Sequence, residues 1–164
     1  MASTERASRS ILVGVDGSES SRRALRWAQF LAAATGAHVE AVIVAPIAPA
    51  YAWAGAFWGA APGEGDLLGA ADKLLTATVD DVFGPERPTD LVLSVAQGGA
   101  AETLLARGKS AQMIVVGSRG HGGFAGLMLG SVSAAVAEHA GCPVLVIHGD
   151  TAPPPVTVTV ANPA

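Results

Sequence analysis

The residues of this chain best placed to do chemistry lie in two short groups. Val115-Val116-Gly117-Ser118-Arg119-Gly120 is an apolar run broken by a glycine, and Gly130-Ser131-Val132-Ser133 follows after nine intervening residues. Read as strand, loop and helix start, the pattern brings backbone N–H groups and small hydroxyls to a helix N-terminus, a favourable place for phosphate. Glycine at 117, 120 and 130 is expected for two reasons. A side chain there would block the ligand, and a tight loop calls for positive φ angles that other residues resist. A bare tight connection between strand and helix would also use glycines. It leaves Ser131 and Ser133, placed at the helix start behind three spaced glycines, without an explanation.

Other motifs fit worse. Gly108-Lys109-Ser110 fails as a P-loop because its first glycine would fall at Thr103, and it closes a helix rather than opening one. Gly120-His121-Gly122-Gly123-Phe124-Ala125 has a relaxed dinucleotide spacing, but no helix opens there. A nucleophile elbow needs Gly-x-Ser-x-Gly, and Ser118 follows its glycine directly. His38, His121, His139 and His148 are scattered without metal-ligand spacing, so no metal-binding residues are expected. His139 reads as a helix-terminal residue meeting the dipole, while His121 lies inside the glycine loop, within reach of a phosphate. Nothing supplies an evident catalytic base, arginine finger or two-carboxylate site, so no catalytic residue is assigned and fast phosphoryl transfer is not expected.

The elements that must position these residues alternate along the chain. Ile11–Val15 is a nearly continuous apolar run, as for a strand buried on both faces, and stops at Asp16-Gly17-Ser18. Ser18 is a credible N-cap for a helix in which Ala24, Leu25, Ala28, Leu31 and Ala32 recur at helical spacing up to Gly36, with Trp27 and Phe30 as packing residues beside them. Strands are expected at 39–45, 91–95, 113–116 and 144–147, and helices at 66–83, 100–107 and 131–140. This alternation predicts an α/β fold, a single-domain open parallel five-stranded sheet with helices on both faces. Ligands of such sheets bind outside the carboxyl ends of the strands, which is where Asp16 and Gly117 fall if the first and fourth strands are neighbours. The segment 46–65 carries Tyr51, Trp53, Phe57 and Trp58 and reads as a long loop, folded over the sheet edge, covering a ligand or meeting a partner. Residues 1–9 form an N-terminal tail, 10–149 the domain, and 150–164 a Pro-rich linker and C-terminal tail in which 156–160 alternates like a strand.

Composition narrows the function. Half of the 164 residues are hydrophobic and only 15% charged, which favours self-association. The formal charge of −4 offers no basic footprint for nucleic acid. Cys142 is the only cysteine, so no intramolecular disulfide forms, and its place beside an apolar strand reads as packing. The N-terminus lacks the apolar core of a signal peptide, and every apolar run falls short of the roughly 18 residues of a membrane helix. A cytoplasmic protein without membrane contact is expected.

The Gly-x2-Gly-x9-Gly-Ser pattern, Ile11-Leu12-Val13-Gly14-Val15-Asp16-Gly17-Ser18 and the closing Cys142-Pro143-Val144-Leu145-Val146-Ile147 together resemble the ATP-binding branch of the universal stress protein family. The likeness covers residues 10–148. It implies sheet order 3-2-1-4-5, as in adenine nucleotide alpha hydrolase-like folds, and a homodimer formed along the last strand. It further implies that Asp16 meets the ribose and the Val44 backbone pairs with adenine. Gly117 and Gly120 would line the phosphate loop, with Arg119 supplying charge. The N–H groups of Gly130, Ser131 and Val132 would hold phosphates, helped by the hydroxyls of Ser131 and Ser133. The implied ligand is ATP, AMP or another adenine nucleotide, with Mg2+ accompanying it. The implied role is a nucleotide-dependent stress-response regulator acting on a protein partner. A slow ATPase, and a nucleotide-free interaction module working through the loop at 46–65, are the alternatives.

Overall fold

The computed structural model of the protein describes residues 9–47, 64–120 and 129–154. The aromatic residues of the 46–65 segment, His121 and the alternating run 156–160 lie outside the described residues. The described elements are β1 (Ser10–Gly14), α1 (Glu19–Thr35), β2 (His38–Ala45), α2 (Glu64–Phe83), β3 (Leu91–Gln97), α3 (Ala100–Gly108), β4 (Met113–Gly117), α4 (Ser131–His139) and β5 (Val144–Ile147). All strand pairs are parallel and the order is β3-β2-β1-β4-β5, which leaves β3 and β5 as the two edges. Leu12 stands opposite Glu40 of β2 and Ile114 of β4, so β1 is the centre of the sheet.

Alternation along β1 divides the core in two. Ile11, Val13 and Val15 join Leu25, Ala28, Leu75 and Val79 in a cluster beneath α1 and α2. Leu12 points the other way and meets Val42, Leu104, Ile114, Val116 and Val136 beneath α3 and α4. A strand buried on both faces must be apolar at every position, and that is why β1 carries no polar/apolar alternation. Each fully buried Leu or Val here contributes about 1.5–3 kcal/mol. The α1 face is built from Ala24, Ala28 and Ala32, whose small side chains let the helix lie close to the sheet. Gly36, at φ 67°, ends α1 in the left-handed conformation that glycine adopts most readily.

Two details bear on earlier expectations. Trp27 stacks edge-on against Phe30 with centroids 5.9 Å apart and also donates its indole N–H to the carbonyl of Thr151 at 3.0 Å. Together with the Arg23–Asp150 ion pair at 2.9 Å, this binds the segment after β5 back onto α1. Cys142 packs against the α3/α4 core, and burial pushes its thiol above the usual range, so it stays protonated and apolar in character. Among the described residues no helix is long and apolar enough to cross a membrane.

Candidate functional site

The strand order reverses at β1 and β4, and there the carboxyl ends of the sheet part into a crevice. A cleft of about 590 Å³ occupies it, within the range of small-molecule sites. Asp16, Val44, Gly117, Arg119, Gly120, Gly130, Ser131, Val132 and Ser133 all line this one cleft, although they come from four separate parts of the chain. The lining is divided by chemistry. Val15, Val42, Val44, Leu67, Ala70, Leu74 and Leu104 make one part apolar, while Asp16, Ser21 and the loop and helix start at 117–120 and 130–133 make the other polar.

The apolar part owes one wall to α2, which sequence reasoning treated only as a covering helix. Leu74 is 40% exposed because its side chain faces the cleft rather than the core, and it lies over the turn at Gly17. A ring system can lie between this wall and the end of β2. Val44 is placed to meet its edge. The Val42 carbonyl accepts from Val15 N–H at 2.8 Å on the β1 side, whereas the Ala45 carbonyl accepts from Gly98 N–H on the β3 side. Backbone groups alternate along a strand, so those of Val44 face the β1 side, beyond where β1 has ended at Gly14.

At the polar end, the turn after β1 fixes a carboxylate. Asp16 Oδ1 accepts from Ser18 N–H at 3.0 Å and from Ser18 O–H at 2.5 Å. Its Oδ2 lies against Gly120, so close that a Cβ at 120 would overlap it. Gly117 is equally constrained: a Cβ there would run into Ser20 Oγ and come within 2.7 Å of the Ser20 carbonyl carbon. Close approach accounts for both glycines, against backbone at 117 and against the end of the Asp16 side chain at 120. The expectation of positive φ at 117, 120 and 130 is not met, since among the described residues positive φ occurs at Gly17, Gly36, Gly84, Gly98 and Gly149.

Gly130 differs from the other two. As N-cap of α4 it has φ −69° and ψ 161°, an extended conformation open to any residue, and an added Cβ would meet nothing nearer than 3.5 Å. It offers no side-chain cap, and the first turn of α4 carries no acidic residue. The Gly130 N–H, expected to hold phosphate, instead donates to the Ser118 carbonyl at 2.7 Å. Among the described residues no side chain caps the N–H groups that follow it at the polar end of the cleft, with the positive end of the helix dipole behind them.

Three side chains fall out differently from the sequence reading. Ser133 is 3% exposed and donates its hydroxyl to the carbonyls of Ser118 and Gly130, both at 3.0 Å. Its one proton ties loop to helix rather than reaching into the cleft. Ser131 is exposed at the helix start, and the Arg119 side chain is exposed at the rim, where it can approach an anion. The carbonyl of Arg119 turns inward and accepts from Ser20 Oγ and, at 3.5 Å, from Ser18 Oγ. Ser20 went unremarked in the sequence. Its signal is a serine in the first turn of a helix where Ser18 already provides the cap.

Comparison with known proteins agrees with this geometry. The sequence model described as the universal stress protein family matches residues 7–148. A universal stress protein of Mycolicibacterium smegmatis is 32% identical over 148 residues, covering 85% of this chain and 48% of its own length. Universal stress protein Rv2005c of Mycobacterium tuberculosis is 33% identical over 156 residues, covering 92% of this chain and 51% of its own. The chain thus spans about half the length of these relatives. Among solved structures, UspA from Lactobacillus plantarum shares the fold with TM-score 0.67 at 23% identity, covering 85% of this chain and 97% of that one. A universal stress protein solved in complex with cAMP is 30% identical with TM-score 0.54, covering 85% of this chain and 96% of its own. With its parallel sheet in the expected order and a family match across nearly all of the described residues, the chain belongs to the universal stress protein family.

Proposed function

We propose that the cleft binds an adenine nucleotide, ATP with its Mg2+ being the leading candidate, and that occupancy regulates a protein partner in the stress response. The observation that supports this reading is the uncapped start of α4 at the polar end of a cleft whose other part is apolar. A nucleotide has that same division, a flat ring at one end and anionic phosphates at the other. The relative solved with cAMP supports an adenine ligand for this fold. Asp16 accepts hydrogen bonds from ribose hydroxyls, the Val44 backbone meets adenine, and Gly117 and Gly120 let the phosphates approach. The N–H groups of Ser131 and Val132 bind the phosphates, with the Ser131 hydroxyl and Arg119 as additional donors, whereas the Gly130 N–H is committed to the Ser118 carbonyl at 2.7 Å. Ser133 holds the loop in place. An accompanying Mg2+ would offset part of the phosphate charge. Dimerisation through the edge strand β5 and a cytoplasmic setting complete the proposal.

The test is to denature the purified protein, identify released nucleotide by mass spectrometry, and titrate the stripped protein with ATP and Mg2+. Stoichiometric nucleotide or saturable rebinding is the expected outcome. A stripped, folded protein that refuses ATP, AMP and cAMP alike would sink the proposal.

A further inference from the structure

The loop that would meet the phosphates is held from beneath by α1, and one residue does most of the holding. Ser20 is 7% exposed and touches the loop at two points. It packs directly under Gly117, and its hydroxyl donates to the carbonyl of Arg119. Ser18 Oγ reaches the same carbonyl at 3.5 Å, but its proton is committed to Asp16 Oδ1 at 2.5 Å, so Ser20 is the effective donor. The peptide that joins Arg119 to Gly120 is trans. In a trans peptide the C=O and N–H point in opposite directions. With the Arg119 carbonyl turned toward α1, the Gly120 N–H is turned away from it. α1 covers one face of the sheet, and α4 belongs to the other. Gly130, at the start of α4, sits beside Arg119. The Gly120 N–H therefore faces the side on which the uncapped amides of α4 converge.

We infer that Ser20 is a positioning residue for phosphate recognition: its hydrogen bond to the Arg119 carbonyl sets the 119–120 peptide so that the Gly120 N–H joins the α4 amides as a donor to the anion. This rests on the adenine-nucleotide reading and adds a specific consequence to it. Ser20 does not line the cleft, and its bond to the Arg119 carbonyl acts on the phosphate loop, so the effect is expected at the phosphates. A peptide turned the other way would present its carbonyl to the anion and repel it.

The experiment compares ATP with adenosine by calorimetry in the full chain and in Ser20→Ala. The expected result is about a tenfold loss of ATP affinity, the scale of one hydrogen bond to a charged group, with adenosine affinity unchanged. Equal losses for both ligands, or no loss for either, would overturn the inference while leaving nucleotide binding intact. A wild-type protein that binds neither ligand would overturn the functional reading and this inference with it. Should Ser20→Ala fail to fold, 15N spectra of the wild-type protein decide instead. The Gly120 amide resonance is expected to shift on saturation with ATP and to stay in place with adenosine, and an amide indifferent to ATP would overturn the assignment.

Discussion

Two helices begin at the same edge of the sheet, and they begin differently. α1 starts at Ser18 with φ −72° and ψ 160°, α4 at Gly130 with φ −69° and ψ 161°, so the two N-cap residues share one backbone conformation. Ser18 accepts from the Ser21 N–H, and Glu19 places a negative charge in the first turn. Gly130 supplies neither cap nor charge. Because a side chain would fit at 130 without strain, the open end of α4 is not forced by geometry. The sequence closes one helix with its own cap and leaves the other without one, as the proposed phosphate site requires.

The sharpest way to break this contrast is to close the open end. Gly130→Asp gives α4 its own cap and carboxylate, and is expected to lower ATP affinity at least about a hundredfold, as charge meets phosphate. Stability should rise by about 0.5 kcal/mol, from capping and the helix dipole. Calorimetry with urea unfolding reads both, and ATP binding that survives a cap at 130 would refute the role of the α4 amides. The next largest effect comes from the contact that keeps the two helix starts together. Gly117→Ala forces a methyl into Ser20 and is expected to cost about 2 kcal/mol in urea unfolding, as overpacking does. The smallest test compares the serines at the two starts. Ser18→Ala removes a working cap and should cost about 1 kcal/mol, whereas Ser131→Ala, at an exposed position, should stay within about 0.5 kcal/mol. Equal costs would mean that α4 has a hidden cap after all.

Most of the fold was legible because its strands are short apolar runs between strong punctuation. The Ile11–Val15 run became β1 at Ser10–Gly14, and the 66–83 helix begins two residues earlier, at Glu64, with no cap signal to mark the start. The nine site residues could be gathered because a parallel sheet delivers every strand's carboxyl end to one edge. What could not be read was why each glycine is there. Gly117 needs its bare Cα because of Ser20, 97 positions away, and Gly120 because of Asp16, 104 positions away. Neither contact leaves a local mark. For the same reason Ser20 was overlooked, Ser133 was assigned to the ligand instead of the loop, and α2 was not foreseen as a wall of the cleft.

The parallel order that opens a cleft at one end of the sheet also leaves two unlike flanks. β5 is four residues long and apolar, and β3 is seven residues long with Val92 48% exposed beside its edge. Pairing β5 with β5 of a second copy uses one surface twice, obeys a twofold axis and stops at two. Pairing β5 with β3 of the next copy uses two different surfaces, has no such axis and repeats head to tail, growing into an open fibre unless the rotation closes it into a ring. The architecture therefore carries a choice between a closed pair and an open polymer. That choice is governed by residues at the flanks of the sheet, far from the cleft at its carboxyl end.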